Sequence, residues 1–468
     1  MLHRKNIQFF VASLVLMVGF YLYNPFALYF QSDDFIHINW SRQGIFFQDN
    51  AFRPVCDLSI MFDHFLYGKN AWGYHLTNLI LHIIASILVG IFYAVFVKKF
   101  LTQDTPLRMQ GFICGTIFFI YSSHSEAVFW ILGRSAILGA IFSLLFLIGY
   151  LNKTKHPFYV LLYIFSWLLA LMSYESCWVL PIYILLFTLF KKEKHVWKHF
   201  FVVCMIFLLY LIFRYVTIHQ IIGEYEAENI FSNEWKVLSL HYLIMISRSF
   251  LPWFKGNRIA FYGLIILSIF LILFLKKVNK KERKTFMFLG LLFLLSLLPY
   301  ISIGVDTNGV EGERFLYFPI VFLCLLITGI SSTSRVEILY KETWLLTFSI
   351  IHLAILAVNS NNQQFAGAVV KKTLKEIAHM NPENKIKVYG LPQCQYGALI
   401  FRAGLPDAVS WLINKEQGKN IHIFSQRSEI LPLSYDYPIK NLTKENSKVS
   451  IFNFKDSELE ISEDTTLH

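Results

Sequence analysis

Charged side chains are scarce in this 468-residue chain: they make up 16% of it, against 55% hydrophobic residues. Ordinary soluble domains carry about 25% charged residues, so the composition excludes a typical soluble protein. The apolar content also excludes a disordered chain, because such chains have too little apolar surface to bury. None of the six cysteines forms a C-x-x-C pair, so neither a zinc site nor a disulfide framework is indicated. The sequence has no evident internal repeat and no low-complexity segment.

Long apolar runs are what the chain has instead. A membrane-spanning helix needs about 20 apolar residues, and the runs predict an all-α, polytopic membrane protein with about eleven spans. The first run is too long for a signal-peptide core and is predicted to remain uncleaved. A stretch at 235–253, which contains Arg248, is predicted to lie in the membrane interface. The predicted spans are 7–30, 74–97, 109–121, 126–150, 157–172, 176–190, 199–219, 259–275, 285–303, 315–332 and 341–358.

The net charge of +11 suits a nucleic-acid partner or a membrane orientation. The positions of the basic residues along the chain decide between these two explanations. Basic groups such as Lys98-Lys99, Lys191-Lys192 and the run from Lys276 to Lys284 fall in alternate loops, which the positive-inside rule assigns to the cytoplasm. We therefore expect a cytoplasmic N-terminus, a C-terminal segment on the extracytoplasmic side and no nucleic-acid partner.

Two domains are predicted. Residues 1–358 form the transmembrane domain, with a long first extracytoplasmic loop at 31–73, and residues 359–468 form a small α/β domain. The predicted elements of the second domain are helices near 364–380 and 406–414 and strands at 385–389, 420–425, 449–454 and 458–461.

Two adjacent carboxylates, Asp33 and Asp34, follow the first predicted span. A carboxylate at such a position can accept a proton from a reacting hydroxyl. An Asp-Asp pair also commonly marks a solvated loop start, so the pair by itself does not establish a catalytic base.

Polar residues also line the start of the second predicted span. His75, Asn78 and His82 are three and four residues apart and share one helical face. Such a face on a membrane helix looks into the bundle or into a wet cavity. Interhelical hydrogen bonding and a substrate site explain it equally well. Two histidines near carboxylates also leave a divalent metal open as a cofactor, although no ligand spacing indicates one.

Further charged residues gather at the predicted outer interface. Each alone is also explained as a snorkelling or topology-setting charge. Together they suit an anionic substrate, because arginine binds phosphate through paired hydrogen bonds and a carboxylate can deprotonate a hydroxyl. A lipid phosphate that carries a transferable group would use both, beside apolar spans. The residues are Glu126, Arg134, Glu175 and Arg314.

The order of these motifs resembles the integral-membrane glycosyltransferases of the GT-C fold, especially the protein O-mannosyltransferase-like branch and its bacterial relatives. The resemblance covers about residues 1–355. The motifs that carry it are Asp33-Asp34, Phe52-Arg53-Pro54, Gly73 to Asn78 with His82, His124-Ser125-Glu126 with Trp130, Gly133-Arg134, Glu175 before Pro181, and Glu313 to Pro319.

The resemblance implies inverting transfer of a sugar from a polyprenyl-phosphate-linked donor to a hydroxyl on the outer face of the cell (cytoplasmic or inner) membrane. It implies that Asp34 or Asp33 is the base. Arg53, Arg134 and Arg314 are then expected near the donor phosphate. The residues expected to bind substrate or support the site are His75, Asn78, His82, Glu126, Glu175, Glu313 and Tyr317.

The acceptor stays open between a protein, a glycan and a lipid. The related animal proteins carry tetratricopeptide repeats after the membrane part, and residues 359–468 show none. In addition, Tyr174 stands where relatives commonly have lysine before the glutamate.

Three other functions compete with this interpretation. An O-antigen-type polymerase or ligase also has many spans and a long outer loop, although that loop usually comes late in the chain. A transporter typically shows repeats and polar residues near the midplane, which we do not find. A plain membrane anchor for the C-terminal domain would not need so many spans.

Overall fold

The computed structural model describes most of the chain as helices, with strands confined to the C-terminal part. The residues it describes are 2–44, 52–101, 107–191, 196–221, 235–250, 278–306, 309–332, 338–424, 426–429, 439–443 and 449–454. They separate into two compact units. The first unit comprises Met1–Ala27 and Gly44–Asn361, and the second comprises Leu28–Gln43 and Asn362–His468.

The elements are numbered in chain order within the described residues. The helices are α1 Leu2–Leu22, α2 Asp34–Arg42, α3 Pro54–Tyr67, α4 Ala71–Phe100, α5 Leu107–Phe119, α6 Ser125–Phe129, α7 Arg134–Asn152, α8 Pro157–Leu171, α9 Leu180–Lys191, α10 Val196–Ile218, α11 Trp235–Phe250, α12 Lys280–Leu297, α13 Pro319–Ser332, α14 Ile338–Ala378, α15 Leu405–Leu412 and α16 Lys415–Lys419. The strands are β1 Lys385–Tyr389, β2 Leu391–Gln395, β3 Ala398–Leu399, β4 Ile421–Ile423, β5 Gln426–Glu429, β6 Ile439–Thr443 and β7 Val449–Phe454.

Fewer helices qualify as membrane spans than the sequence predicts. Among the described residues, six are long and apolar enough to cross a membrane, or seven if the bent pair formed by α5 and residues 122–129 is one span. Helices α8 and α13 are apolar but have only 15 and 14 residues. The predicted span at 259–275 lies outside the described residues. A multi-pass membrane protein is therefore supported, whereas the count of eleven stays a prediction.

Small residues let α4 and α5 pack closely. A Cβ added at Gly90 would lie 2.6 Å from the carbonyl oxygen of Gly111, and one added at Gly115 would lie 2.6 Å from that of Ser86. Glycine is therefore required at both contacts, as in other close helix pairs of membrane proteins. This contact fixes α4, which carries the polar face, against the start of the bent segment.

The bent segment turns by 58° between α5 and residues 122–129. A break of this kind frees backbone groups that must find partners away from water. His352 of α14 supplies one: its Nδ1 accepts the backbone N–H of Ser122 at 3.1 Å. The bend starts α6, and Glu126 lies in the first turn of that helix.

The second unit combines α2 with the C-terminal strands. One sheet has the order β4-β1-β7-β6, with β1 parallel to both β4 and β7, and the other has the order β3-β2-β5. Strand β1 alternates, with Ile386 and Val388 buried, as expected for a strand with one covered face. β1, β4, β7 and α15 fall close to predicted elements, β2, β3, β5 and β6 were not predicted, and residues 458–461 lie outside the described residues.

Candidate functional site

Arg53 lies at the start of α3 and pairs with Glu175, which follows α8. Its Nε and Nη2 approach Glu175 Oε2 at 3.0 and 2.9 Å. Its guanidinium also lies 4.8 Å from the ring centroid of Tyr174. The Arg53 side chain remains 32% exposed, so it can still accept a further anionic ligand.

Arg314 is held in a similar way, just before α13. Its guanidinium forms an ion pair with Glu126, and its backbone N–H donates to Glu126 Oε2 at 2.7 Å. The guanidinium lies 5.1 Å from the ring centroid of Trp130 and its side chain is 20% exposed. The carboxylate and the ring fix the orientation of the cation, while part of it faces solvent.

The two partly exposed arginines act on the same tyrosine. Burial raises the pKa of Tyr174, and the positive charges of Arg314 and Arg53 both oppose that rise. The charge of Arg53 also opposes the raised pKa of Arg314. We call Arg53 and Arg314 the arginine pair. Both cations are near enough to affect one phenol and each is oriented by a carboxylate, an arrangement that suits an anion with more than one negative oxygen.

Glu175 has a second cationic partner, Arg214 of α10. Arg214 Nη1 lies 3.4 Å from Glu175 Oε1, and its side chain is fully buried. Burial alone would raise the pKa of Glu175, but Arg53 and Arg214 outweigh burial and hold it below its ordinary value. Glu175 is thus an ionised anchor for Arg53.

Arg134 has a different environment from the arginine pair. It is fully buried, and its Nη2 lies 2.5 Å from Asp63 Oδ2 and donates to the carbonyl of Tyr74 at 3.0 Å. Its Nε donates to Asn78 at 2.7 Å and its Nη1 to Ser59 at 3.2 Å. Its guanidinium is occupied by protein acceptors, which favours a structural role over the expected contact with a donor phosphate.

Burial also shifts the pKa of Asp63, the acid that Arg134 contacts. It raises the pKa of Asp63, while Arg134 and the hydroxyl of Thr77 oppose the rise. Thr77 Oγ1 donates to Asp63 Oδ1 at 2.8 Å. Arg134, Asp63 and Thr77 therefore form a buried polar network that ties α3 to α4 and α7.

The predicted polar face of α4 is buried throughout: His75, Asn78 and His82 are at most 1% exposed. His82 Nδ1 lies 2.7 Å from the hydroxyl of Tyr317, and its Nε2 lies 3.0 Å from the carbonyl of Phe119. Asn78 accepts a hydrogen bond from Arg134 of α7, and His82 contacts the carbonyl of Phe119 in α5. Both are interhelical hydrogen bonds, the structural alternative that the sequence left open.

Glu313 pairs with Arg248 of α11. The two side chains are 1% and 3% exposed, and Arg248 Nη2 lies 2.8 Å from Glu313 Oε1. Burial raises the pKa of Glu313 to about 7, because the nearby charge of Arg248 only partly offsets burial and Glu126 adds repulsion. Glu313 is therefore an acid whose charge changes near neutral pH.

The acidic pair Asp33 and Asp34 belongs to the second unit, and the arginine pair to the first. Asp34 is fully buried, and its Oδ2 accepts the backbone N–H of Gln31 at 3.0 Å. Asp33 is half-buried, and its Oδ1 accepts the hydroxyl of Ser32 at 2.8 Å. Of the two carboxylates, that of Asp33 is the more accessible to a substrate.

Sequence comparison finds similar proteins. Over 102 residues the chain is 35% identical to protein O-mannosyl-transferase TMTC2 of Homo sapiens, which is 22% of this chain and 11% of that protein. Over 330 residues it is 24% identical to protein O-mannosyl-transferase F38B6.6 of Caenorhabditis elegans, which is 65% of this chain and 45% of that protein. The chain is similar to protein O-mannosyl-transferases.

These matches confirm the resemblance that the motifs predict. The alignments span less than half the length of either relative. No family model matches the chain. Among solved structures, ArnT from Cupriavidus metallidurans bound to undecaprenyl phosphate aligns over 86% of this chain and 87% of that one, with 11% identity and a TM-score of 0.43.

No metal site is evident in the part of the chain that the structure describes. There, no group of three or more His, Cys, Asp or Glu side chains is arranged to hold a metal ion. His82 uses both ring nitrogens in contacts with protein groups. The divalent metal that the histidines left open therefore has no candidate ligand set among the described residues and stays an untested possibility.

Sequence reasoning missed two cations that complete this region, Arg214 and Arg248. Arg214 is a lone charge within an apolar run, and such a residue usually faces the bundle and has a partner. That signal was sufficient to single it out. Arg248 lies in the stretch predicted to be interfacial, where a charge needs no partner, and so its burial against Glu313 was not expected.

Proposed function

We propose that this protein transfers a sugar from a polyprenyl-phosphate-linked donor to an acceptor hydroxyl on the extracytoplasmic face of the cell membrane, as a GT-C-type glycosyltransferase. The observation that carries the proposal is the arginine pair: two partly exposed guanidinium groups beside Tyr174, each oriented by a carboxylate. Similarity to proteins named O-mannosyl-transferases supports sugar transfer and makes mannose the first sugar to test.

The arginine pair binds the donor phosphate in this proposal. Transfer breaks the bond between the sugar and the phosphate oxygen, so negative charge grows on the phosphate as it leaves. Guanidinium groups already oriented towards that charge stabilise it without reorganisation. Glu175 and Glu126 hold the pair in place, which gives these two predicted site residues a supporting role.

Asp33 is the proposed base, and Asp34 supports it. In this proposal the half-buried carboxylate of Asp33 removes the proton of an acceptor hydroxyl, and the freed oxygen displaces the phosphate at the sugar carbon. That single displacement inverts the anomeric centre. The buried Asp34 accepts the N–H of Gln31 and so stabilises the turn that carries Asp33.

Binding of undecaprenyl phosphate, the leaving group of a bacterial donor, tests the phosphate role. Native mass spectrometry of the detergent-solubilised protein would compare wild type with Arg53→Gln, Arg314→Gln and the matched control Arg42→Gln, an exposed arginine that bonds only Asn39 among the described contacts. Losing one charged hydrogen bond of about 1.5–3 kcal/mol predicts a roughly 10- to 100-fold weaker affinity for the first two variants. Unchanged affinity in both would refute the arginine pair as the phosphate site.

A further inference from the structure

The residue before Asp33 has an unusual backbone. Ser32 is fully buried and has φ of +43°, in the left-handed region that residues other than glycine seldom adopt. Such a conformation persists only where the surroundings enforce it, and it is common at functional sites. The surroundings of Ser32 come from residues 400–404 of the C-terminal part, which we call the strap.

The strap holds Ser32 by its backbone. The N–H of Ser32 donates to the carbonyl of Ile400 at 2.9 Å, and the N–H of Ala403 donates to the Ser32 hydroxyl at 3.2 Å. Gly404 has φ of +81°, and a Cβ at this position would lie 2.5 Å from the carbonyl oxygen of Ser32. Only glycine permits the strap to approach this closely.

The Ser32 hydroxyl carries this constraint to the acidic pair. Because Oγ accepts the N–H of Ala403, its own proton points elsewhere, and it donates to Asp33 Oδ1 at 2.8 Å. The chain of contacts from Ala403 through Ser32 therefore selects one orientation of the Asp33 carboxylate.

Ring packing reinforces the same attachment within the second unit. The rings of Phe35 and Phe401 are stacked with centroids 6.3 Å apart, and those of Phe30 and Trp411 are 5.1 Å apart. Gln31 Nε2 also donates to the carbonyl of Gln363 at 3.1 Å. Residues on both sides of the acidic pair are thus fixed to the C-terminal part of the chain.

We propose that Ser32 is a positioning residue for the Asp33 carboxylate and that the strap, as part of the C-terminal domain, maintains the catalytic geometry. The inference rests on the proposed function, in which Asp33 is the base. It assigns the C-terminal domain a direct part in the reaction, through residues that do not themselves touch the substrate.

Ser32→Gly is the decisive variant. Glycine adopts positive φ without strain, so this change removes the hydroxyl while it eases the backbone. We expect only a small change in melting temperature, because relief of backbone strain offsets the lost hydrogen bonds of the hydroxyl. We also expect at least a tenfold lower kcat for release of undecaprenyl phosphate from mannosyl-phosphoryl-undecaprenol, and an unchanged KM for that donor. A merely structural serine would leave kcat intact or raise it, and that result would overturn the inference.

Two glycines test the strap with matched strain. Gly404→Ala and Gly397→Ala both place a side chain at positive φ, +81° and +84°, and a Cβ at Gly404 would in addition meet the carbonyl oxygen of Ser32. Each variant is expected to lose some melting temperature. For the same loss of melting temperature, Gly404→Ala should lose more kcat than Gly397→Ala. Equal losses in both would contradict the role of the strap, and if Gly404→Ala fails to fold, Ser32→Gly decides.

Asp33→Asn separates this inference from the proposed function. If Asp33→Asn abolishes release of undecaprenyl phosphate and Ser32→Gly does not reduce it, the positioning role is wrong and the base assignment stands. If Asp33→Asn retains full activity, the base assignment fails, and the positioning role fails with it.

Discussion

Replacing Asp63 by asparagine is expected to destabilise the first unit strongly and to leave affinity for undecaprenyl phosphate unchanged in the protein that folds. The reason is Arg134, which is fully buried with Nη2 at 2.5 Å from Asp63 Oδ2. Among the described residues, the acceptors that its positive charge keeps in the variant are neutral: Asn78, Ser59 and the carbonyl of Tyr74. Removing one partner of a buried ion pair typically costs about 3–5 kcal/mol.

Thermal unfolding in detergent, followed by tryptophan fluorescence, measures this loss. At about 2 °C per kcal/mol for a large domain, the midpoint should fall by about 6–10 °C. The control is Glu416→Gln, which breaks the exposed pair with Lys419 and should cost less than about 1 kcal/mol. If Asp63→Asn unfolds like the control and instead weakens binding of undecaprenyl phosphate, Arg134 is a phosphate ligand and the structural reasoning is wrong.

Two further predictions concern buried polar groups near the bent segment. Because burial raises the pKa of Glu313 to about 7, its neutral form stabilises the fold below about pH 4.5, and this stabilisation is lost as the pH rises through 7. The melting temperature of wild type should therefore fall over that pH range relative to that of Glu313→Gln. Parallel curves for the two proteins would contradict a pKa near 7. Tyr317→Phe leaves His82 Nδ1 without the hydroxyl that lies 2.7 Å away and should lower the free energy of unfolding by about 1–3 kcal/mol, measured by thermal unfolding. Affinity for undecaprenyl phosphate should stay unchanged. A change in affinity without a change in stability would assign Tyr317 to substrate binding.

Periodic and compositional features were the predictable part of the fold. The scarcity of charge and the apolar runs predict a helical membrane protein, and the spacing of His75, Asn78 and His82 predicts the buried face of α4. The short strands β2 and β3 carry too little pattern to be recognised, because each has five residues or fewer. The bend between α5 and residues 122–129 depends on a partner, His352, that lies 230 residues away.

In the candidate site, too, local sequence patterns predict some features, whereas others depend on residues far apart in the chain. The sequence indicates which residues carry charge, and similarity to known proteins indicates the class of protein. Neither indicates which side chains the charged residues contact. Arg134 and Arg314 look alike as outer-interface arginines, yet one is fully buried among protein acceptors and the other is 20% exposed. Likewise, the close relation of Asp33 to the strap joins residues about 370 positions apart, which no local pattern records.

Transfer of label from mannosyl-phosphoryl-undecaprenol tests the central claim most directly. Membranes that contain the full chain would be incubated with the lipid labelled in its sugar, and products would be separated into donor, free undecaprenyl phosphate and labelled acceptor. We expect equal amounts of labelled acceptor and released undecaprenyl phosphate from wild type, and neither product from Asp33→Asn or from the double variant Arg53→Gln and Arg314→Gln. Consumption of a lipid-diphosphate oligosaccharide instead, or movement of the intact donor across the membrane without a covalent product, would contradict it.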